Sequence, residues 1–311
     1  MTKNIPLPIV GLILGLFALG NLLQSYSEKL RLYIGVVGGV LLILFLVRLF
    51  SNVNVFKEEM KNPVMASVFG TFSMAIILLA GYLKPFIGSA SKFVFYLGIC
   101  IHIVIIIYFT MKFILNYDVK KVFASYYIVY VGIVVGSVVA PAFEAQKLGR
   151  IFFWFGLITF VILFIKVNQR YLKIGHPDKP LAPLFCITCA PASLLLAGYT
   201  QSFDKKSLPM VFTLMLVAQL IYIYILIKLP VYLKETKFFP SYSAFTFPFV
   251  ISAIGIKMAT GFLVNSGNID KVSFLKPVLP KLVLVETIIA VILVTYTLIR
   301  YIGHMINTKA N

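Results

Sequence analysis

Two charged side chains lie well inside long apolar stretches and are the first candidates for chemistry. Lys257 lies within residues 243–262, and Glu286 lies within residues 282–301. Charges in an apolar environment usually pair with one another or face a path that carries ions. We predict that Lys257 and Glu286 form a buried ion pair. The pair would either clip two neighbouring helices together or draw anions into the outer mouth of a conduit, with Glu286 moderating the field of Lys257.

The three cysteines and three histidines offer little further chemistry. Cys186 and Cys189 share one face of a helix at this spacing, but their stretch contains no histidine or acidic residue that could complete a metal site. His102 lies alone among aliphatic residues. We therefore predict no metal site and no cofactor, and we assign the cysteines to packing.

The acidic residues also argue against an enzyme. The four aspartates all lie in connectors, and the chain contains no Asp-rich pair for Mg²⁺ and diphosphate, no H-E-x-x-H motif and no P-loop. These absences predict a protein that is not an enzyme and does not hydrolyse nucleotides. Any transport would then be passive or driven by an ion gradient.

The composition and the apolar runs indicate what kind of secondary structure carries these residues. The 311 residues are 60% hydrophobic and 12% charged, with a mean hydropathy of +0.99. Soluble domains contain about 45–50% apolar and about 25% charged residues, so the sequence predicts an integral membrane protein. Apolar runs of about 20 residues predict transmembrane helices, because strands of a membrane barrel need only about 10. We predict an all-α protein, with one domain over residues 1–311 and ten spans, near 5–24, 31–50, 63–82, 93–112, 124–143, 151–170, 182–201, 208–227, 243–262 and 282–301.

The basic residues predict the orientation of these spans. Ten spans place both termini on one side, where the connectors and termini contain 16 Lys and Arg against 11 on the other side. Because short cytoplasmic loops are enriched in Lys and Arg, we predict a multi-pass protein of the cell membrane with both termini in the cytoplasm. This bias, and not nucleic acid binding, accounts for the net charge of +18.

Small residues alternate between consecutive spans. Gly, Ala, Ser, Thr and Pro make up 43 of the 100 residues in the odd spans and 14 of the 100 in the even spans. Small residues permit close helix packing, which would explain the pattern without a pore. Five cylinders of about 10 Å diameter nevertheless leave an axial gap that small side chains fill poorly. We predict five helical hairpins around a quasi-fivefold axis, with odd helices inside, even helices outside and a conduit along the axis.

Four segments carry a resemblance to a known family. They are PIVGLILGLFALGNLLQ at residues 8–24, KNPVMASVFGTFSM at 61–74, LAPLFCITCAPASLLLAGY at 181–199 and AFTFPF at 244–249. With these motifs the chain resembles the tellurite-resistance/dicarboxylate transporter family, which includes bacterial tellurite-resistance channels, fungal malate and sulfite transporters and slow-type anion channels of plants. The resemblance implies a homotrimer in which each protomer has its own pore, blocked by a phenylalanine that matches Phe247.

Phe247 precedes Pro248, whose ring and missing N–H loosen the preceding helical turn and can turn Phe247 off the regular helix face. A large apolar ring across a narrow pore blocks ions by sterics and dewetting. We predict that Phe247 and Pro248 form a gate; the alternative is that Phe247 simply packs. The expected pore-lining residues are small: Gly15, Ser67, Thr71, Ser73, Ser137, Thr188, Ser193 and Ser252.

These features predict an anion channel or channel-like transporter for small inorganic or organic anions in the lipid bilayer. The first alternative is a proton-linked carrier of dicarboxylate, tellurite or sulfite, and the second is a scaffold with an occluded axis. Proton-coupled carriers usually place acidic residues or histidines along the path, and Glu286 alone qualifies here. The lack of further acidic residues or histidines along the path favours the channel over the carrier.

Overall fold

The fold is almost entirely helical in the computed structural model, which describes residues 5–116 and 118–307. Helix accounts for 85% of the residues, and the described part contains no strand. Lys3 and Lys309, which contribute to the predicted charge bias, lie outside the described residues. Within those residues the α-helices are α1 (Ile9–Leu23), α2 (Glu28–Ser51), α3 (Val53–Glu59), α4 (Pro63–Ile87), α5 (Ser91–Phe109), α6 (Tyr126–Tyr130), α7 (Val135–Val139), α8 (Gln146–Ile174), α9 (Ala190–Ser202), α10 (Leu208–Leu233), α11 (Phe247–Asn265) and α12 (Leu279–Asn307).

Several of these helices are long and apolar enough to cross a membrane. The described residues contain seven such segments, and one of them, Pro63–Ile114, includes both α4 and α5. α1 and Gly132–Phe143 are apolar but shorter. The chain is therefore a multi-pass membrane protein. The other six segments are Glu28–Ser51, Gln146–Ile174, Ala182–Ser202, Leu208–Leu233, Pro240–Asn265 and Leu279–Ile306.

Three of the segments rich in small residues are interrupted, whereas α8 and α10 run without a break. The 3-10 helix Ala182–Cys189 leads into α9, the 3-10 helix Pro240–Phe245 precedes α11, and Gly132–Val134 separates α6 from α7. Pro191 and Pro248 each lie in the first turn of the following α-helix. Proline is tolerated there because its missing N–H has no partner within the helix. The prolines of the seventh and ninth predicted spans thus mark helix starts.

Contacts between helices separate the elements into two groups. α1 contacts α4, α4 contacts α7, α7 contacts α9, α9 contacts α11, and α11 contacts α1, which closes a circuit. Each of these five helices also packs against the next long helix, in the pairs α1–α2, α4–α5, α7–α8, α9–α10 and α11–α12.

Burial follows the same division. In the most apolar 18-residue window of Ala182–Ser202, 94% of the residues are buried, against 33% in α2, α8 and α10. The elements rich in small residues therefore lie at the centre of the protein, and the elements with large side chains lie at its periphery.

Candidate functional site

A cavity of 880 Å³, here called the wide cavity, lies where the central helices α1, α4, α9 and α11 approach their C-terminal ends. Three basic residues line it: Arg31, Lys84 and Lys257. Its lining includes no acidic residue among those described. The wide cavity therefore attracts anions electrostatically, since cations around a low-dielectric cleft raise the local anion concentration.

Lys257 reaches the wide cavity from α11 and is held at the end of α1. Its Nζ donates hydrogen bonds to the carbonyl oxygen of Leu22 at 2.7 Å and to Oγ of Ser25 at 2.6 Å. The ammonium also lies 5.0 Å from the centre of the Tyr26 ring. These neutral partners fix the position of the charge without neutralising it.

Arg31, which is only 6% exposed, joins three helices beside the wide cavity. Its Nη1 lies 2.5 Å from Oε1 of Glu28, its Nε donates to Oδ1 of Asn21 at 3.0 Å, and its Nη2 donates to the carbonyl of Gly81 at 3.1 Å. Glu28 compensates much of this charge. Lys84, by contrast, donates to the backbone carbonyl of Ala142, which is a neutral partner.

A second cavity of about 40 Å³, here called the narrow cavity, lies among the N-terminal halves of the central elements. Val68, Met74, Ile128 and Ile187 contribute to a largely apolar wall, which contains no charged residue among those described. A cavity needs at least about 10–15 Å³ to hold one water, so the narrow cavity holds a few waters at most. Its apolar wall favours an empty cavity over a wet one.

Phe247 and Leu194 contribute to the walls of both cavities. Phe247 is the first residue of α11, it is 6% exposed, and the neighbouring Pro248 lines the narrow cavity. The wide and narrow cavities therefore meet at these two side chains, one from α9 and one from α11.

The backbone before Phe247 leaves the helical conformation at Thr246, which has φ −101° and ψ −94°. Oγ1 of Thr246 donates to the carbonyl oxygens of Gly11 at 3.0 Å and Ser243 at 2.6 Å. A Cβ at Gly15 would lie 2.5 Å from Cβ of Thr246, so glycine is needed for this approach. Contacts with α1 therefore hold the non-helical turn that positions Phe247.

The expected pore-lining residues occupy several environments. Thr71 lines the narrow cavity, whereas Gly15 packs on Thr246. Thr188 is buried, and its hydroxyl has no hydrogen-bond partner among the described residues. The five serines lie between helices and outside the walls of both cavities. They donate as follows: Ser67 to Val64 O and Ser125 Oγ, Ser73 to Gly70 O, Ser137 to Gly149 O, Ser193 to Cys189 O, and Ser252 to Pro248 O.

The expected ion pair between Lys257 and Glu286 is not formed. Glu286 is fully buried, and its polar neighbours are Gln219 and Tyr222 of α10. Sequence position indicates similar depths for the two residues but not the direction of each side chain around its helix. Lys257 faces α1, and Glu286 lies beside α10, so the two groups do not meet.

Arg31, Lys84 and Leu194 are site residues that the sequence does not single out. Arg31 and Lys84 count among the connector charges in the predicted topology, but α2 already begins at Glu28 and α4 continues to Ile87. A basic residue in the first or last turn of a helix next to a small-residue span is the signal that could find them. Leu194 has no such signal, because it stands in a run of three leucines.

The profile of the voltage-dependent anion channel family matches residues 4–305. A search of curated proteins finds no significant match. The family match covers all the elements that line the two cavities, and members of this family are channels or transporters. The resemblance to the tellurite-resistance/dicarboxylate transporter family is confirmed, and the chain belongs to the voltage-dependent anion channel family.

Proposed function

We propose that the protein is an anion channel whose pore runs along the axis of the five central segments and is closed by Phe247. The observation that carries this proposal is that Phe247 and Leu194 are walls of both the wide and the narrow cavity. The two cavities are then successive parts of one path. The Phe247 ring closes it by filling the constriction and excluding water.

The proposal includes an architecture of ten transmembrane helices in five hairpins around a quasi-fivefold axis. The closed circuit of contacts from α1 through α4, α7, α9 and α11 supports this arrangement. Orientation follows from the Lys and Arg bias, with both termini in the cytoplasm, the wide cavity open to the outside and the protein in the cell membrane. The family resemblance adds a homotrimer with one pore in each protomer.

Selectivity for anions would arise at the wide cavity. Lys84 and Lys257 donate to neutral partners, so their fields extend into the cavity and favour small anions over cations. No fixed charge lines the narrow cavity among the described residues, so an anion that passes Phe247 binds weakly there. Weak binding permits rapid conduction, and anions are then distinguished mainly by the free energy of dehydration.

A proton-linked carrier of dicarboxylate, tellurite or sulfite is the second candidate. Glu286 favours it, because buried acidic residues in membrane proteins often bind the coupling proton. Its carboxylate, however, lies beside α10 and is part of the wall of neither cavity. A proton bound there would be remote from the anion path, so we propose the channel as the function.

Flux into liposomes tests this choice. Purified protein would be reconstituted and the uptake of chloride, nitrate, sulfite and malate measured under an imposed membrane potential, with and without a pH gradient. A channel gives flux that follows the potential and is insensitive to the pH gradient. Flux that requires the pH gradient and is abolished in Glu286→Gln would establish the carrier instead.

A further inference from the structure

A third cavity, of 520 Å³ and here called the basic cavity, lies at the opposite end of the central helices from the wide cavity. Its walls include the connector before Ala182, the C-terminal part of α10 and the segment that follows α10 up to Tyr242. Its basic lining residues are His176, Lys179, Lys228 and Lys234.

Positive charge in the basic cavity exceeds the negative charge available to it. Glu235 is the acidic residue in its described lining, and Oε2 of Glu235 lies 3.2 Å from Nζ of Lys179. Lys228 has no carboxylate partner among the described residues, and its Nζ lies 5.8 Å from the centre of the Tyr224 ring. Burial lowers the pKa of His176, and the nearby charges of Lys228 and Arg170 lower it further. The basic cavity therefore holds several positively charged side chains that repel one another.

The same cavity also has an apolar side that faces outward. Val231, which is 66% exposed, and Tyr232 belong to its lining and to α10, one of the peripheral helices. Ala182 and Pro183 form another part of the wall, at the start of the 3-10 segment that leads to α9. A ligand that fits both sides carries an anionic group for the lysines and acyl chains for the face of α10.

We propose that the basic cavity binds the phosphate headgroup of an anionic phospholipid, with the acyl chains lying along α10. A phosphate between Lys179, Lys228 and Lys234 neutralises the excess positive charge. Basic pockets between helix ends at a membrane surface bind lipid headgroups in this way. A free phosphate offers the same charge but leaves Val231 and Tyr232 without a partner, so the apolar wall favours the lipid.

Thermal unfolding in detergent tests the proposal. The melting temperature of the parent protein and of Lys179→Gln/Lys228→Gln would be measured with added dioleoylphosphatidylglycerol, with dioleoylphosphatidylcholine or with inorganic phosphate. We expect phosphatidylglycerol alone to raise the melting temperature of the parent, and the double variant to lose at least half of that shift. Lys120→Gln/Lys121→Gln, which removes two exposed lysines from another connector at the same end, should keep the full shift.

Two outcomes would overturn the proposal. An equal shift in both double variants would assign the effect to the general positive charge of the protein. A shift with inorganic phosphate as large as that with phosphatidylglycerol would make the cavity a site for soluble anions. Should Lys179→Gln/Lys228→Gln fail to fold, Lys234→Gln provides the same comparison, because Lys234 is exposed and forms no ion pair among the described residues.

Discussion

The wide and narrow cavities lie on the two sides of Phe247 and differ in both volume and charge. The wide cavity encloses 880 Å³ beside Arg31, Lys84 and Lys257, whereas the narrow cavity encloses about 40 Å³ with no charged residue in its described wall. The same central elements form both. Large apolar side chains converge where the 3-10 segments meet α9 and α11, while basic residues gather towards the other ends of the helices. In the proposed channel, attraction of anions and closure of the path are therefore separate tasks at separate depths.

Replacement of Phe247 should have the largest effect, because it removes the wall between the two cavities. In the proposed channel, Phe247→Ala would open a water-filled passage where the ring excludes water, and we expect anion flux to rise by about tenfold or more, which corresponds to a barrier lowered by about 1.4 kcal/mol or more. Chloride flux into liposomes at a fixed potential measures the change.

Phe249→Ala is the matched control for this variant. Phe249 is fully buried and lies 5.8 Å, centre to centre, from the Tyr222 ring, away from both cavities. Its truncation should cost about 3–5 kcal/mol of stability without a gain in flux. If Phe247→Ala behaves in the same way as Phe249→Ala, Phe247 is a packing residue and the two cavities are not one path.

Leu194 is the second side chain between the cavities and should have a smaller effect. Leu194→Ala widens the constriction but leaves the Phe247 ring in place, so we expect a gain in flux of about two- to fivefold and a loss of about 2–5 kcal/mol of stability. Leu195→Ala is the control, because Leu195 is fully buried and lines neither cavity. Equal fluxes in the two variants would show that Leu194 is not part of the constriction.

Replacement of Lys257 tests whether the positive charge of the wide cavity attracts anions. Lys257→Gln removes a charge from the wide cavity, and we expect chloride flux at about 0.02 M salt to fall by about two- to fivefold. The loss should fade at about 1 M salt, where the Debye length is about 3 Å. Lys92→Gln, which changes a partly exposed lysine paired with Glu144, should alter flux little. A loss that is independent of salt would contradict a long-range role for Lys257.

The smallest expected effect is the coupling between Lys257 and Glu286. Because the two side chains have different partners, the free energies of unfolding of Lys257→Met, Glu286→Gln and the double variant should be additive within about 0.5 kcal/mol. Glu286→Gln keeps the shape of a buried side chain that has no ionic partner, so its own effect on stability should be small. Chemical denaturation gives the free energies of unfolding for this double-mutant cycle. A coupling above about 1 kcal/mol would show that Lys257 and Glu286 do form an ion pair.

Much of the helical framework follows from the sequence, since length and hydropathy alone predict apolar helices. The structure contains helix in each of the ten predicted windows, and the Ala182–Ser202 segment, rich in small residues, is 94% buried in its most apolar window. Pro248 predicts an interruption in the ninth span because proline is disfavoured in a helix interior, and α11 begins one residue before it.

Side-chain directions within the site could not be read from the sequence. Ser67, Ser73 and Ser137 are small and polar, as the wall of a hydrated pore requires, yet each donates to a backbone carbonyl between packed helices. A serine in a helix can satisfy its hydroxyl locally, so its presence does not determine which way it faces. Glu286 fails as a partner for Lys257 for a similar reason, because the rotation of α12 against α11 depends on packing along their whole length.

The reversal potential of Phe247→Ala is the most direct test of an anion path that Phe247 closes. Currents would be recorded from the variant in planar bilayers with different KCl concentrations on the two sides. A path opened at Phe247 and lined by Lys84 and Lys257 should carry a current that reverses close to the equilibrium potential of chloride. No current above that of the parent protein, or a reversal close to the equilibrium potential of potassium, would contradict an anion path that Phe247 closes.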